Sequence, residues 1–131
     1  MEKEFIPYEQ ALALKELGFD EPCLGYYVGK DREVYISNET ISAPFQFRLE
    51  SKTTFVAPLY QQAFSFFREK YSLVCIITFD DDVKGKWFGN LYGHYETHGK
   101  YDFGYTELFK TYEEAELECL KKLIEIIKSQ K

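Results

Sequence analysis

The stretch Ala57-Pro-Leu-Tyr-Gln-Gln-Ala-Phe-Ser-Phe-Phe-Arg-Glu-Lys-Tyr71 decides the fold, because it is a mid-chain run with clear helical periodicity and a dense aromatic face. Leu59, Tyr60, Ala63, Phe64, Phe67 and Tyr71 recur at steps of three and four, whereas Gln61, Gln62, Ser65 and Arg68 fall on the other side. An amphipathic helix of this kind must lay its apolar face on something. Pro58 suits the first helical position, where a missing amide hydrogen has no intrahelical partner to lose. The flanking segments read as strands, so the helix is expected to lie across a sheet.

Downstream, Leu73 to Phe79 (Leu-Val-Cys-Ile-Ile-Thr-Phe) is the most apolar run of the chain. Its length and branched residues predict a strand buried on both faces, placed mid-sheet. Ser72 breaks the helical pattern just before it. Trp87 to Tyr95 and Tyr101 to Phe109 follow as two aromatic strands; on the second, Tyr101, Phe103 and Tyr105 alternate onto one face and Asp102, Gly104 and Thr106 onto the other. The last helix is announced by Thr111-Tyr-Glu-Glu114, a capping box in which hydroxyl and carboxylate satisfy each other's free backbone amides. Ala115, Cys119, Leu120, Leu123, Ile124 and Ile127 form its apolar face, with Glu113, Glu114 and Glu116 at its positive end and lysines toward the other.

Upstream, Pro7 to Leu17 is rich in helix formers and Gly18 ends it, with Phe19 folding back on Leu14 in a Schellman ending. Cys23 to Val28 and Glu33 to Ser37 read as a hairpin around Gly29-Lys-Asp-Arg32. Residues 38 to 54 blur into an edge element or loop. The fold class expected is α+β: a mostly antiparallel sheet of about five strands with three helices, the central and C-terminal ones side by side on one face. At 131 residues, with neither repeat nor linker, residues 1–131 read as a single domain large enough to bury a core unaided.

A formal charge of −6 disfavours a nucleic-acid partner, whose phosphates call for many cationic contacts. No apolar run reaches the roughly 20 residues of a membrane span, so no membrane partner is expected. Cys23, Cys75 and Cys119 are odd in number and never paired at close spacing. That pattern fits a reducing compartment, and the expected location is cytoplasmic. Cys75 and Cys119 lie in apolar patterns and read as core; Cys23, at a turn, is the candidate for an exposed thiol.

Three blocks together, Tyr8-Glu-Gln-Ala-Leu-Ala-Leu-Lys-Glu-Leu-Gly-Phe-Asp-Glu-Pro-Cys23, Ala57-Pro-Leu-Tyr-Gln-Gln-Ala-Phe64 with Phe67-Arg-Glu-Lys-Tyr71, and Thr111-Tyr-Glu-Glu-Ala-Glu-Leu117, resemble a family of small uncharacterised proteins carried by phages, prophages and mobile elements of gut anaerobes. The resemblance implies an accessory genetic context. It brings no activity, cofactor or site residue with it.

Chemistry-bearing motifs are sparse. His94 and His98 have a metal-like spacing, but residues four apart on a strand stand about 13 Å apart, and they converge only if the chain already turns at Tyr95. Asp80-Asp81-Asp82 starts like a calcium loop, with Gly85 at the sixth position, but places Leu91 where the glutamate belongs. Neither a phosphate loop nor a nucleophile elbow is present, so no catalytic residue, metal or cofactor is expected. The function expected is a non-enzymatic protein-interaction module that uses surplus strand aromatics, namely Trp87, Tyr92, Tyr101, Phe103 and Tyr105, to bind an unknown protein partner or a second copy as a homodimer. A single-stranded nucleic-acid module using Lys84, Lys86, Trp87 and Tyr92 is the alternative, and a small enzyme of unknown reaction a further one.

Overall fold

The computed structural model describes residues 2–41, 55–81 and 86–130. It is an α+β structure of six antiparallel strands in two three-stranded sheets, with four helices among the described residues, three of them long. The strands expected in one sheet thus divide into two. The chain falls into two compact units, Met1–Ala63 and Phe64–Lys131, and helix α2 runs across the division.

In the first unit, α1 (Tyr8–Glu16) leads to β1 (Cys23–Tyr27), β2 (Tyr35–Ile41) and β3 (Phe55–Ala57). The sheet order is β2-β1-β3, all antiparallel. Helix α1 closes as a Schellman motif: Gly18 takes φ 94°, the Phe19 amide donates to the Leu14 carbonyl at 2.9 Å, and the Gly18 amide to Lys15 at 3.0 Å. Two tyrosines fix the core from within. The Tyr27 hydroxyl donates to the Ile6 carbonyl and the Tyr8 hydroxyl to the Gly29 carbonyl, each at 2.7 Å, while both rings and that of Phe55 pack edge to face or tilted.

The decisive helix starts later than its periodicity predicts. Phe55–Ala57 belongs to β3, and α2 runs Tyr60–Tyr71. Pro58 therefore precedes the helix. The Gln62 carboxamide oxygen accepts from the Leu59 amide at 3.0 Å and serves as its cap. Ala63 and Phe67 are buried as the periodicity requires, and Phe66 joins them.

In the second unit, β4 (Leu73–Asp80), β5 (Lys86–Gly93) and β6 (Asp102–Tyr105) form a sheet in that order, with the one-turn helix α3 (Tyr95–His98) between β5 and β6 and α4 (Tyr112–Ser129) on one face. Among the described strands β4 is therefore at an edge of the sheet, not central. Its apolar run misleads because Val74 and Ile76 are exposed rather than buried on a second face. Ser72, before it, takes φ 54°, a conformation few non-glycine residues adopt, and this turns the chain from helix to strand. Thr111 caps α4 by accepting from the Glu114 amide at 3.1 Å, but its hydroxyl reaches the Glu114 carboxylate at 3.0 Å. The return bond of the box thus goes to a side chain instead of the backbone.

Candidate functional site

Directly paired residues of antiparallel strands share a face, so the β4–β5 register sorts the second sheet. Leu73, Cys75, Ile77 and Phe79 lie opposite Gly93, Leu91, Gly89 and Trp87; Val74, Ile76 and Thr78 lie opposite Tyr92, Asn90 and Phe88. The first set faces α4. Cys75 and Cys119 of α4 are joined as a disulfide, and a side chain at Gly89 would run into both sulfurs. Cys75 and Cys119 are therefore a cross-link and not the inert pair their spacing suggests. Beside them Thr106 is buried, its hydroxyl accepting from the Gly89 amide and donating to the Glu107 carbonyl, each at 2.9 Å.

Trp87 belongs to this helix-covered side. Its ring packs on Phe79 with centroids 4.9 Å apart and edge-on to Tyr112 of α4 at 5.3 Å. Phe103 is also engaged with its own chain: it meets the His98 ring edge-on at 5.4 Å and sits so close to Gly93 that a Cβ there would press on it. The expected alternation of Tyr101, Phe103 and Tyr105 on one face fails because β6 slips register against β5 and Gly104 takes φ 94°. The bulge sets Phe103 apart from Tyr105, and Tyr101 lies ahead of the strand.

Tyr92, Tyr101 and Tyr105 remain for the other face. The rings of Tyr92 and Tyr101 lie 5.1 Å apart, and Tyr101 is 63% and Tyr105 76% exposed. With Arg68, Ser72, Val74, Ile76 and His94, the first two line a shallow depression of about 380 Å³. Ile76 at its rim is 52% exposed. This face gathers aliphatic and aromatic side chains around one guanidinium and one imidazole. Its lining offers contact surface.

His98 is held by its own chain. Tyr95 to His98 does turn, yet both ring nitrogens of His98 are occupied: Nε2 by the Tyr71 carbonyl and Nδ1 by the Gln130 amide at 3.0 Å. A carbonyl only accepts, so Nε2 carries the proton and Nδ1 accepts from Gln130. Among the described residues no three His, Cys, Asp or Glu side chains converge on a possible ion. Asp82, Lys84 and Gly85 lie outside the described residues, as do residues 42–54, the greater part of the stretch expected as an edge element or loop. Lys86 opposes Asp80 across the strands, and on β5 it stands about 20 Å from Tyr92, too far to share a nucleotide.

Cys23 is not the exposed thiol its turn position suggests. It is 1% exposed, its thiol contacts the Glu21 carbonyl, and burial first, then the Glu21 charge, pushes its pKa up to about 12. A thiol so protonated is no nucleophile. Among the described residues no helix is long and apolar enough to cross a membrane. Sequence reasoning overlooked Val74, Ile76 and Arg68 as neighbours of the tyrosines; the absence of lysine or proline on β4 was the available signal that its edge is unguarded. Comparison with known proteins finds no matching family model, curated protein or solved structure.

Proposed function

We propose that the chain is a non-enzymatic protein-interaction module whose partner docks on the open face of the β4-β5-β6 sheet, over Tyr92, Tyr101, Tyr105, Val74 and Ile76. One observation carries this reading: the opposite face is filled by α4, while this one leaves tyrosines and aliphatics together in solvent. Tyrosine rings give large, rigid contact area with a polar tip, which suits a surface that is wet when free and dry when bound. The resemblance to phage and mobile-element proteins makes an accessory factor acting on a host or element-encoded protein the natural setting. A cytoplasmic location belongs to the same proposal and rests on the odd number and wide sequence spacing of the cysteines. The Cys75–Cys119 disulfide weighs against it, since such bonds are rare in reducing compartments.

The test compares the parent with Tyr101→Ser and Tyr105→Ser, each checked for unchanged stability, in capturing proteins from a host extract and in binding a labelled single-stranded oligonucleotide. Loss of a captured protein in both variants is the expected result. Oligonucleotide binding by the parent that falls steeply with salt would favour the nucleic-acid alternative instead.

A further inference from the structure

The two edges of the second sheet are built differently. The β6 edge is four residues long, interrupted by a register slip and by Gly104 in a left-handed conformation, with the Asp102 carboxylate folded onto the Gly104 amide at 2.7 Å. Bulges and short strands of this kind block further pairing. The β4 edge has none of these guards. Its eight residues pair with β5 without a slip, and Leu-Val-Cys-Ile-Ile-Thr-Phe-Asp contains neither lysine nor proline.

The hydrogen bonds show which backbone groups this edge presents. Trp87 exchanges both bonds with Phe109, Gly89 accepts from Thr106, and Gly93 donates to Tyr101, so these β5 residues turn their backbone away from β4. The intervening β5 residues bond to their β4 partners Val74, Ile76, Thr78 and Asp80. Cys75, Ile77 and Phe79 consequently aim their N–H and C=O groups outward, where no described strand receives them. Leu73 is fully buried, so the usable edge begins after it.

We infer that β4 pairs antiparallel with β4 of a second copy, about a two-fold axis at Ile77, to make one sheet continuous across both chains. This rests on the reading of the sheet as a protein-binding element, but it uses the edge where that reading uses the face. In this register Ile77 opposes Ile77 of the second copy and Cys75 opposes Phe79, each pair able to exchange two backbone bonds. A two-fold interface must be self-complementary, and the charges of this edge are. Arg68 lies in the depression with Ser72 and Val74 at one end of β4, while Asp80 and Asp81 close the other. Antiparallel pairing brings the acidic end of each copy to the guanidinium of its mate.

The test is sedimentation equilibrium of the full chain with amide hydrogen exchange on the same samples. The parent is expected to dimerise reversibly, with the Cys75, Ile77 and Phe79 amides protected. Ile76→Lys, an exposed substitution that puts two like charges near the axis, is expected to weaken the dimer by about tenfold or more and to release those amides. Arg68→Glu and Asp81→Arg, both on the surface and without bearing on the core, should each weaken it, and together restore it. A parent that stays monomeric at every concentration overturns the inference, as does a dimer indifferent to Ile76→Lys and Arg68→Glu. A dimer lost in Tyr101→Ser or Tyr105→Ser but kept in Ile76→Lys overturns the edge pairing and leaves the face reading standing; an edge dimer whose tyrosine variants still capture partner protein does the reverse.

Discussion

The two faces of the β4-β5-β6 sheet are made from the same kinds of residue and end in different states. One carries Leu73, Leu91 and the Cys75–Cys119 bond beneath the buried stripe of α4. The other carries Val74, Ile76, Tyr101 and Tyr105 in solvent, with Tyr92 half-buried among them. Hydrophobicity alone does not separate them. What separates them is shape: Gly89 and Gly93 thin the sheet where the helix sulfur and the Phe103 ring need room, so only that face can accept a close-packed neighbour from its own chain.

The largest effect should come from hollowing the covered face. Leu120 is fully buried, and Leu120→Ala is expected to destabilise the chain by about 3 kcal/mol, read from denaturant midpoints. A loss under about 1 kcal/mol would mean that this face is no better packed than the open one. Next, breaking the Cys75–Cys119 bond, which spans 44 residues, with a dithiol reductant is expected to cost about 2 to 4 kcal/mol. Equal midpoints with and without reductant would show that packing alone holds α4 in place.

Glu116 gives a smaller, pH-dependent contrast at the margin of the covered face. Burial first, then the charge of Glu113, raises its pKa to about 7 from 4.5. The folded state holds the proton more tightly than the unfolded one, so this contribution is complete below pH 4.5 and is lost as pH rises to about 7. Because the carboxyl is only partly buried, Glu116→Gln should stabilise the chain by about 1 kcal/mol at pH 8 and leave it unchanged near pH 4. An equal effect at both values would remove the electrostatic cause. Smallest of all, Tyr105→Ser on the open face should alter stability by less than about 0.5 kcal/mol. A large loss there would show that the open face is part of the core.

Local signals in the sequence were read well where one residue type settles the geometry. Gly18 with Phe19, Thr111 with Glu114, and the stripe from Ala115 to Ile127 each placed an element correctly because caps and 3.6-residue periods are short-range properties. The α+β class and its antiparallel strands followed. Partition of the strands into two sheets did not, since strand pairing is a long-range property that periodicity within a strand does not encode. Strand β4 was misplaced to mid-sheet for a related reason: an apolar run looks the same whether its second face meets a helix of its own chain or a surface awaiting cover. The site was half readable. Tyr92, Tyr101 and Tyr105 lie on the open face, whereas Trp87 packs against Tyr112 and Phe103 against His98, contacts that alternation along a strand does not encode.

His98 carries its own label. Because its Nε2–H is held by the Tyr71 carbonyl and its Nδ1 by Gln130 at the end of α4, the imidazole is locked as one tautomer only while the final helical turn stays wound. Its two ring nitrogens should therefore give well-separated 15N resonances in the native protein, and these should move toward averaged values as that turn frays. An isotope-labelled sample has two histidines to resolve, His94 and His98. A single spectrum would then report the winding of the C-terminal turn without any added probe.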